Sequence, residues 1–376
     1  MAITNQIING GVFMFFKIPT LVYFEDNCVI NHQNELCQYG KKALIVMGKS
    51  SARKNGSFAD VIKALDNNSI AYEVFDEVEQ NPSLESIEKA YLANKDKGID
   101  FVIGIGGGSS LDSAKAIAVM LKYHFNDTQL LFEKPACNDS LAVVAVATTC
   151  GTGSEVTAAS VLTDNVNKRK ASMSYRIYPK LALLDSKYLT YLPYRSIRFT
   201  AVDALSHLIE SAISSKATTI SDMISYEGLR AFSKNKAALL DQSLLTKEVY
   251  DNLLYASLIG GMAIAHCGTN LPHGLSYTLT YHNNIPHGQA CGYFLYGLMK
   301  YADQKTVNLV LQALQFADLQ QFKQFIVEVA MLEKLDDNLL ELAVQEIKDN
   351  KNKLSYCPYK VDEELLKKVA FSLWKD

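Results

Sequence analysis

The stretch "DFVIGIGGGSSLDSAKAIAVMLKYH", residues 100–124, decides the fold. Phe101 to Ile105 is an apolar, largely β-branched strand pattern that runs into Gly106-Gly107-Gly108-Ser109-Ser110 and then into a helical pattern from near Leu111. A strand, a glycine turn and a helix N-terminus present free backbone N–H groups and a positive dipole end. The absent side chains let a phosphate come close. The same glycines would also serve a tight strand-to-helix turn with no ligand. No Gly-Lys-Ser/Thr closes the run, so it is not a phosphate-binding loop of the nucleotide hydrolases, and it lacks the full G-x-G-x-x-G spacing. A second glycine loop, Thr148-Thr149-Cys150-Gly151-Thr152-Gly153-Ser154-Glu155, follows the next strand pattern in the same way. Two such loops after neighbouring parallel strands face one crevice at the carboxyl edge of the sheet, where a nucleotide binds.

Outward from that stretch, strand and helix patterns alternate. "KALIVMG" and "IAYEVFD" read as strands, "SLESIEKAYLANK" as a helix, and "LAVVAVATT" and "LALLD" as two further strands. Ser57-Phe-Ala-Asp60 reads as a capping box that opens the helix carrying "DVIKAL". From about Pro193 the patterns become helical: "AVDALSHLIESAIS", "ISYEGLRAFSK" and "VYDNLLYASLIGGMAIA" follow one another with few strand candidates. The expectation is an α/β dinucleotide-binding domain with a mostly parallel, Rossmann-like sheet over residues 1–188, and an all-helical domain over 189–376.

The 376-residue chain is 48% hydrophobic and 20% charged with a net charge of −3, which argues against a nucleic-acid or anionic-membrane partner. Apolar runs such as "LAVVAVA" and "GVFMFF" fall far short of the roughly 18 residues that span a bilayer. Neither a membrane segment nor a secretion signal is expected. Seven scattered cysteines without a C-x-x-C pair fit reduced thiols in the cytoplasm.

Four of the seven histidines fall in "GMAIAHCGTNLPHGLSYTLTYHNNIPHG", residues 261–288. His273 and His287 each stand in a Pro-His-Gly triplet, where proline sets the chain ahead of the imidazole and glycine allows a sharp turn behind it. Asp203 and His207, four apart in a helical pattern, share one helix face. These four offer N/O donors suited to Fe²⁺ or Zn²⁺, although an Asp/His pair alone is more often a side-chain hydrogen bond. His32, His124 and His282 read as surface or loop residues, and His266 as packed on an apolar helix that Pro272 ends.

"GIGGGSSLDSAKAIA", "TTCGTGSEVT", "DALSHLIES" and the two Pro-His-Gly triplets, in this order and spacing, resemble the iron-containing alcohol dehydrogenases over essentially the whole chain. The resemblance implies a dehydroquinate-synthase-like arrangement, with a nucleotide domain and a helical domain flanking a cleft that holds one divalent iron, zinc being an alternative. It makes Asp203, His207, His273 and His287 the metal ligands and catalytic centre. It makes Gly106, Gly107, Gly108 and Ser109 the pyrophosphate cradle, with Asp112 toward the nicotinamide. Thr148, Thr149 and Thr152 would line the cofactor, and Lys170 would sit near its ribose. Several well-known members carry a further histidine four residues after the first Pro-His-Gly histidine. Here that position is Tyr277, a poor base at neutral pH.

The strand "ALIVMG" ends at Gly48, where members that select NAD carry an aspartate against the adenosine ribose. With Gly48 in place, and with Lys49, Ser50, Ser51 and Arg53 following, NADP(H) is favoured over NAD(H). The implied activity is hydride transfer between a primary alcohol or diol and NADP(H), in a cytoplasmic homodimer with a small alcohol or aldehyde as substrate. The alternatives are a glycerol-type polyol dehydrogenase or a dehydroquinate-synthase-like lyase on the same scaffold, and a nucleotide- or metal-binding protein without turnover.

Overall fold

The computed structural model describes residues 7–8, 11–12 and 16–375, and residues 13–15 of the apolar run at 11–16 lie outside them. Two compact units make up the chain. One is Pro19–Leu192, and the other takes Pro193 onward together with the described N-terminal residues up to Ile18.

The first unit is built on six parallel strands: β1 (Leu21–Phe24), β2 (Lys42–Met47), β3 (Ala71–Phe75), β4 (Phe101–Gly106), β5 (Ala142–Ala147) and β6 (Leu181–Leu184). Their spatial order is β1-β6-β5-β4-β2-β3. Central strands of such a sheet are covered on both faces, which is why they read as continuous apolar runs rather than alternating ones. Leu44, Ile45, Val46, Ile103, Val144 and Val146 are all fully buried. Helix α1 (Ser57–Asn67) contributes Val61, Ala64 and Leu65 to the core on one face. Helices α2 (Leu84–Asn94) and α3 (Gly108–Tyr123) supply Ile87, Ala114, Ile117 and Leu121 on the other. From β2 the chain runs outward to β3 and then returns to the opposite side of β2 as β4. The strand order therefore reverses between β2 and β4, and a crevice opens at their carboxyl ends.

Three local readings change. The helix after the glycine turn starts at Gly108, not near Leu111. The Ser57–Asp60 capping box does not form: Gly56 takes the N-cap position with φ 85°, the Ser57 amide donates to Asn55 Oδ1, and Asp60 accepts from the Tyr188 hydroxyl. A preceding glycine able to adopt positive φ displaces the hydroxyl cap. An antiparallel ribbon, Val161–Asp164 paired with Arg169–Ser172, leaves the second glycine loop and had no clear strand pattern.

The second unit is helical: α4 (Tyr194–Ala212), α5 (Thr219–Ser233), α6 (Lys247–Cys267), α7 (Leu271–Asn283), α8 (His287–Lys300), α9 (Gln304–Leu314), α10 (Leu319–Val329), α11 (Asp337–Ile347) and α12 (Glu363–Phe371). Helix α4 is its axis, buried from Ala201 to Ala212 and packed by α5, α6 and α8. Its buried polar groups, Asp203, Ser206, His207 and Glu210, are enclosed with its apolar ones because they partner one another and His273. Among the described residues, no helix is long and apolar enough to cross a membrane.

The α3–β4 contact depends on Gly104, where a Cβ would sit 2.9 Å from Ala114 Cβ and 3.1 Å from Leu111 Cδ2. Gly104→Val is expected to wedge the helix off the sheet and cost about 1–3 kcal/mol, read as a lower urea midpoint at unchanged native circular dichroism. An unchanged midpoint would show slack in this packing.

Candidate metal centre and cofactor loops

Three helices bring the expected metal donors together. Asp203 and His207 project from adjacent turns of α4, His273 lies in the first turn of α7, and His287 opens α8. Asn284, in the left-handed conformation at φ 53°, ends α7 and lets the chain turn into α8. Both triplet prolines sit at helix starts, Pro272 in the first turn of α7 and Pro286 at the N-cap of α8, where a missing N–H costs little. The triplet glycines do not make sharp turns. Each lies inside its helix and lets a neighbour approach: a Cβ on Gly288 would lie 1.8 Å from the Phe199 carbonyl oxygen of α4, and one on Gly274 would lie 2.1 Å from Ile347 Cδ1 of α11.

Asp203 Oδ1 is the focus of the cluster. The Nε2 atoms of His273, His287 and His207 lie 3.4, 3.7 and 3.9 Å from it. The His207 and His273 rings stack at 4.6 Å. Asp203 Oδ1 and His273 Nε2 are buried and make no hydrogen bond, although orphaned polar atoms in a protein interior are rare and costly. Burial alone would raise the Asp203 pKa. His207, His287 and His273 outweigh it and hold the carboxyl well below its usual range. A divalent ion bonded at about 2.0–2.1 Å to a tetrahedral N/O set spaces its donor atoms about 3.4 Å apart, so the residues present fit such an ion.

Two residues that the sequence reading passed over complete the cluster. Glu210, fully buried on α4, places Oε1 2.5 Å from His273 Nδ1. The same oxygen accepts from the Ser206 hydroxyl, and Oε2 accepts from the Asn270 amide. Burial would raise its pKa, but His273 lowers it to about 2. A carboxylate on Nδ1 fixes the imidazole so that Nε2 faces the ion. The signal was present: Glu210 follows His207 by three residues and shares its helix face. Cys291, one turn beyond His287 on α8, is the other. Donor atoms of Asp203, His273, His287 and Cys291 all lie within 4.8 Å of one another.

The other histidines lie elsewhere. His266 stacks on Phe16 at 4.2 Å, accepts from the Lys17 amide at Nε2 and bonds the Met262 carbonyl through Nδ1, which ties the N-terminal segment to α6. His282 is in the last turn of α7 beside Glu346, not in a loop. His32 stacks on Tyr23, and His124 caps α3.

In the α/β unit the two glycine loops meet. Gly106 has φ +150°, a conformation that side chains avoid, and its carbonyl accepts from the Thr148 amide. A Cβ on Gly107 would lie 2.8 Å from Thr149 Oγ1, and one on Gly108 2.7 Å from Thr152 Cγ2. The first-turn N–H groups of α3 have no intrahelical acceptor, which is the cradle a pyrophosphate fits. Ser109 Oγ accepts from the Asn81 amide, and the Lys170 ammonium donates to Asn81 Oδ1, so Asn81 links these two candidates.

Asp112 is committed inside the protein, accepting from Ser154 Oγ at 2.6 Å and the Val161 amide at 2.8 Å. Lys115, fully buried, donates to the same Ser154 oxygen and to the Ala159 carbonyl. Gly48, with the exposed Ser50 and Ser51 after it, lies at the carboxyl end of β2, and a Cβ there would meet only Val78 O at 3.4 Å and Ser51 Oγ at 3.9 Å.

A Rossmann-like nucleotide unit in one chain with a helical unit that carries a histidine–carboxylate cluster marks the class of metal- and dinucleotide-dependent dehydrogenases. Residues 19–186 match the family described as iron-containing alcohol dehydrogenase, and residues 198–370 match the C-terminal part of the Fe-containing alcohol dehydrogenase family. The chain is 30% identical over 310 residues to 1,3-propanediol dehydrogenase of Klebsiella pneumoniae, covering 81% of this chain and 78% of that one. It is 27% identical over 311 residues to aldehyde-alcohol dehydrogenase 2 of Entamoeba histolytica, covering 79% of this chain but only 35% of that protein. The crystal structure of an iron-containing alcohol dehydrogenase from Thermotoga maritima superimposes with a TM-score of 0.89 at 35% identity, over 96% of this chain and 99% of that one. The protein belongs to the iron-containing alcohol dehydrogenase family.

Because Glu210 orients His273, Glu210→Gln is expected to weaken Zn²⁺ or Fe²⁺ binding by about 10–100-fold, and His287→Ala to lose the ion on purification, both with native circular dichroism. His266→Ala should leave metal content unchanged. Full occupancy in His287→Ala would remove that residue from the centre.

Proposed function

We propose that this chain is a metal-dependent alcohol dehydrogenase and aldehyde reductase that transfers hydride between a primary alcohol or diol and NADP(H). The observation that carries the reading is the convergence of three imidazole Nε2 atoms on one buried, unbonded carboxylate oxygen, Asp203 Oδ1. Asp203, His207, His273 and His287 would hold the ion, either Fe²⁺ or Zn²⁺. The glycine loop from Gly106 to Ser109 and the threonines Thr148, Thr149 and Thr152 would hold the cofactor. When bound, the ion supplies Lewis acidity toward an alcohol or carbonyl oxygen, and the nicotinamide supplies the hydride acceptor.

The chain's own residues set orientation and proton traffic. Glu210 holds His273 in the tautomer that presents Nε2. Tyr277 stacks on His287 at 5.8 Å, and burial pushes its phenol up to about 12. Such a phenol stays protonated across neutral pH, so Tyr277 shapes the substrate side and is no general base. A bound cofactor would supply its ribose hydroxyls, with water, as the route for the proton. Gly48 leaves room for a 2′-phosphate where a carboxylate would repel it, and Lys49 supplies positive charge beside it.

The deciding assay follows NAD(P)H absorbance over a panel of primary alcohols, diols and aldehydes after reconstitution with Fe²⁺ and separately with Zn²⁺. Turnover with at least one pairing is expected, and its absence across the panel would favour a binding protein without catalysis. Gly48→Asp, whose Cβ would come no closer than 3.4 Å to a neighbour, should shift the kcat/KM ratio toward NAD(H). A wild-type preference for NAD(H) would remove Gly48 as the discriminating position. Tyr277→Phe should keep kcat within roughly tenfold, whereas loss of a true acid–base group costs about 10²–10⁴.

A further inference from the structure

Cys291 is fully buried at the centre of the helical unit and lies one turn past His287 on α8. Its Sγ is 3.9 Å from His287 Nε2 and within 4.8 Å of the donor atoms of Asp203 and His273 as well. Two of the atoms it faces, Asp203 Oδ1 and His273 Nε2, are buried and make no hydrogen bond, so the thiol meets two unsatisfied cation ligands. Zinc–sulfur bonds are about 2.3 Å and zinc–nitrogen bonds about 2.0–2.1 Å, which puts neighbouring S and N donors on one ion about 3.6 Å apart. The observed 3.9 Å requires only a small closure. The other buried cysteines, Cys28, Cys150, Cys267 and Cys357, are not part of this group.

From this placement we propose that Cys291 is a thiolate donor to the ion held by Asp203, His207, His273 and His287, present in the substrate-free protein and adding a soft ligand to an otherwise N/O set. Ligation exchanges the S–H bond for an S–metal bond. The thiol proton passes to solvent, and no electron is transferred. A thiolate among imidazoles shifts metal preference away from iron toward zinc and cobalt, the more thiophilic of the available divalent ions. His207, whose Nε2 lies 3.9 Å from Asp203 Oδ1, stays in the donor set beside the thiolate. The inference rests on the metal centre proposed above and adds to it a ligand outside the Asp/His set.

The test uses the full chain loaded with Co²⁺ as the probe. A cobalt–thiolate bond gives an intense near-ultraviolet charge-transfer absorption that N/O ligation does not, alongside the weaker visible bands that report bound cobalt. The expected result is that wild type shows the charge-transfer band at one cobalt per chain, that Cys291→Ser loses it while keeping the visible bands, and that the Zn²⁺ dissociation constant of Cys291→Ser rises at least about tenfold. Visible bands without the charge-transfer band in wild type, or a band that persists in Cys291→Ser, would overturn the thiolate ligand and leave the metal centre standing. Failure of wild type to bind cobalt at all would overturn the centre and the ligand together.

Discussion

The buried carboxylate of Asp203 is the constraint around which the helical unit is arranged. An ionised group placed in an apolar interior without compensation is so unfavourable that the fold must surround it with positive charge or a cation. Here the compensation comes from three histidines on three helices, so the crossing of α4, α7 and α8 is a condition of tolerating the charge. The same requirement explains features immediately around the cluster. Gly288 admits the backbone of Phe199, Gly260 admits His207 with its would-be Cβ 3.4 Å from His207 Cβ, and Glu210, held ionised chiefly by His273, also accepts from the Asn270 amide and the Ser206 hydroxyl.

In the α/β unit the corresponding problem is to leave backbone N–H groups open for an anion while keeping the loop that bears them in place. The solution is a buried polar network beneath the glycines. Lys115 and Asp112 both grip the Ser154 hydroxyl, and Asp112 also holds the ribbon at Val161. Burial lowers Lys115 to about 8, with Asp112 and Glu155 opposing the shift, while burial raises Glu155 to about 7. Thr149 and Thr152 fill the space that side chains on Gly107 and Gly108 would need, which couples the two loops sterically.

Much of this was legible in the sequence because it is written in periodicity. Four of the six strands of the sheet are apolar runs closed by glycine or polar turns, β3 shows aromatic and β-branched residues around Glu73, and the long helices carry apolar stripes that local pattern reveals. Strand β1 was not legible: "LVYF" is short and half exposed at the sheet edge, and it becomes a strand only by pairing with Leu181–Leu184, far away in the chain. At the candidate site, the residues with distinctive local motifs stood out, namely the Asp203/His207 pair and the two Pro-His-Gly histidines. Cys291 did not, since a cysteine inside a helical pattern carries no mark of the imidazoles it faces, and Glu210 offered only its i,i+3 spacing from His207. The triplet glycines were noticed for the wrong reason, because sequence shows that a position lacks a Cβ but not which neighbour takes the space.

The anchoring of Phe16 and Lys17 on His266 makes the helical unit discontinuous in the chain. The polypeptide leaves it at Pro19, builds the whole sheet, and re-enters at Pro193, so the nucleotide unit is topologically an insertion within the other. Its first and last strands, β1 and β6, are hydrogen-bonded neighbours, which brings the two ends of the insertion side by side. For a growing chain this sets an order of assembly. Once the sheet closes, the long excursion between the N-terminal segment and α4 is contracted to a short tether, and the entropy of joining two distant pieces is spent on the insertion's own folding. The residue that receives the N-terminal segment, His266 on α6, lies 249 positions beyond Lys17 in the chain.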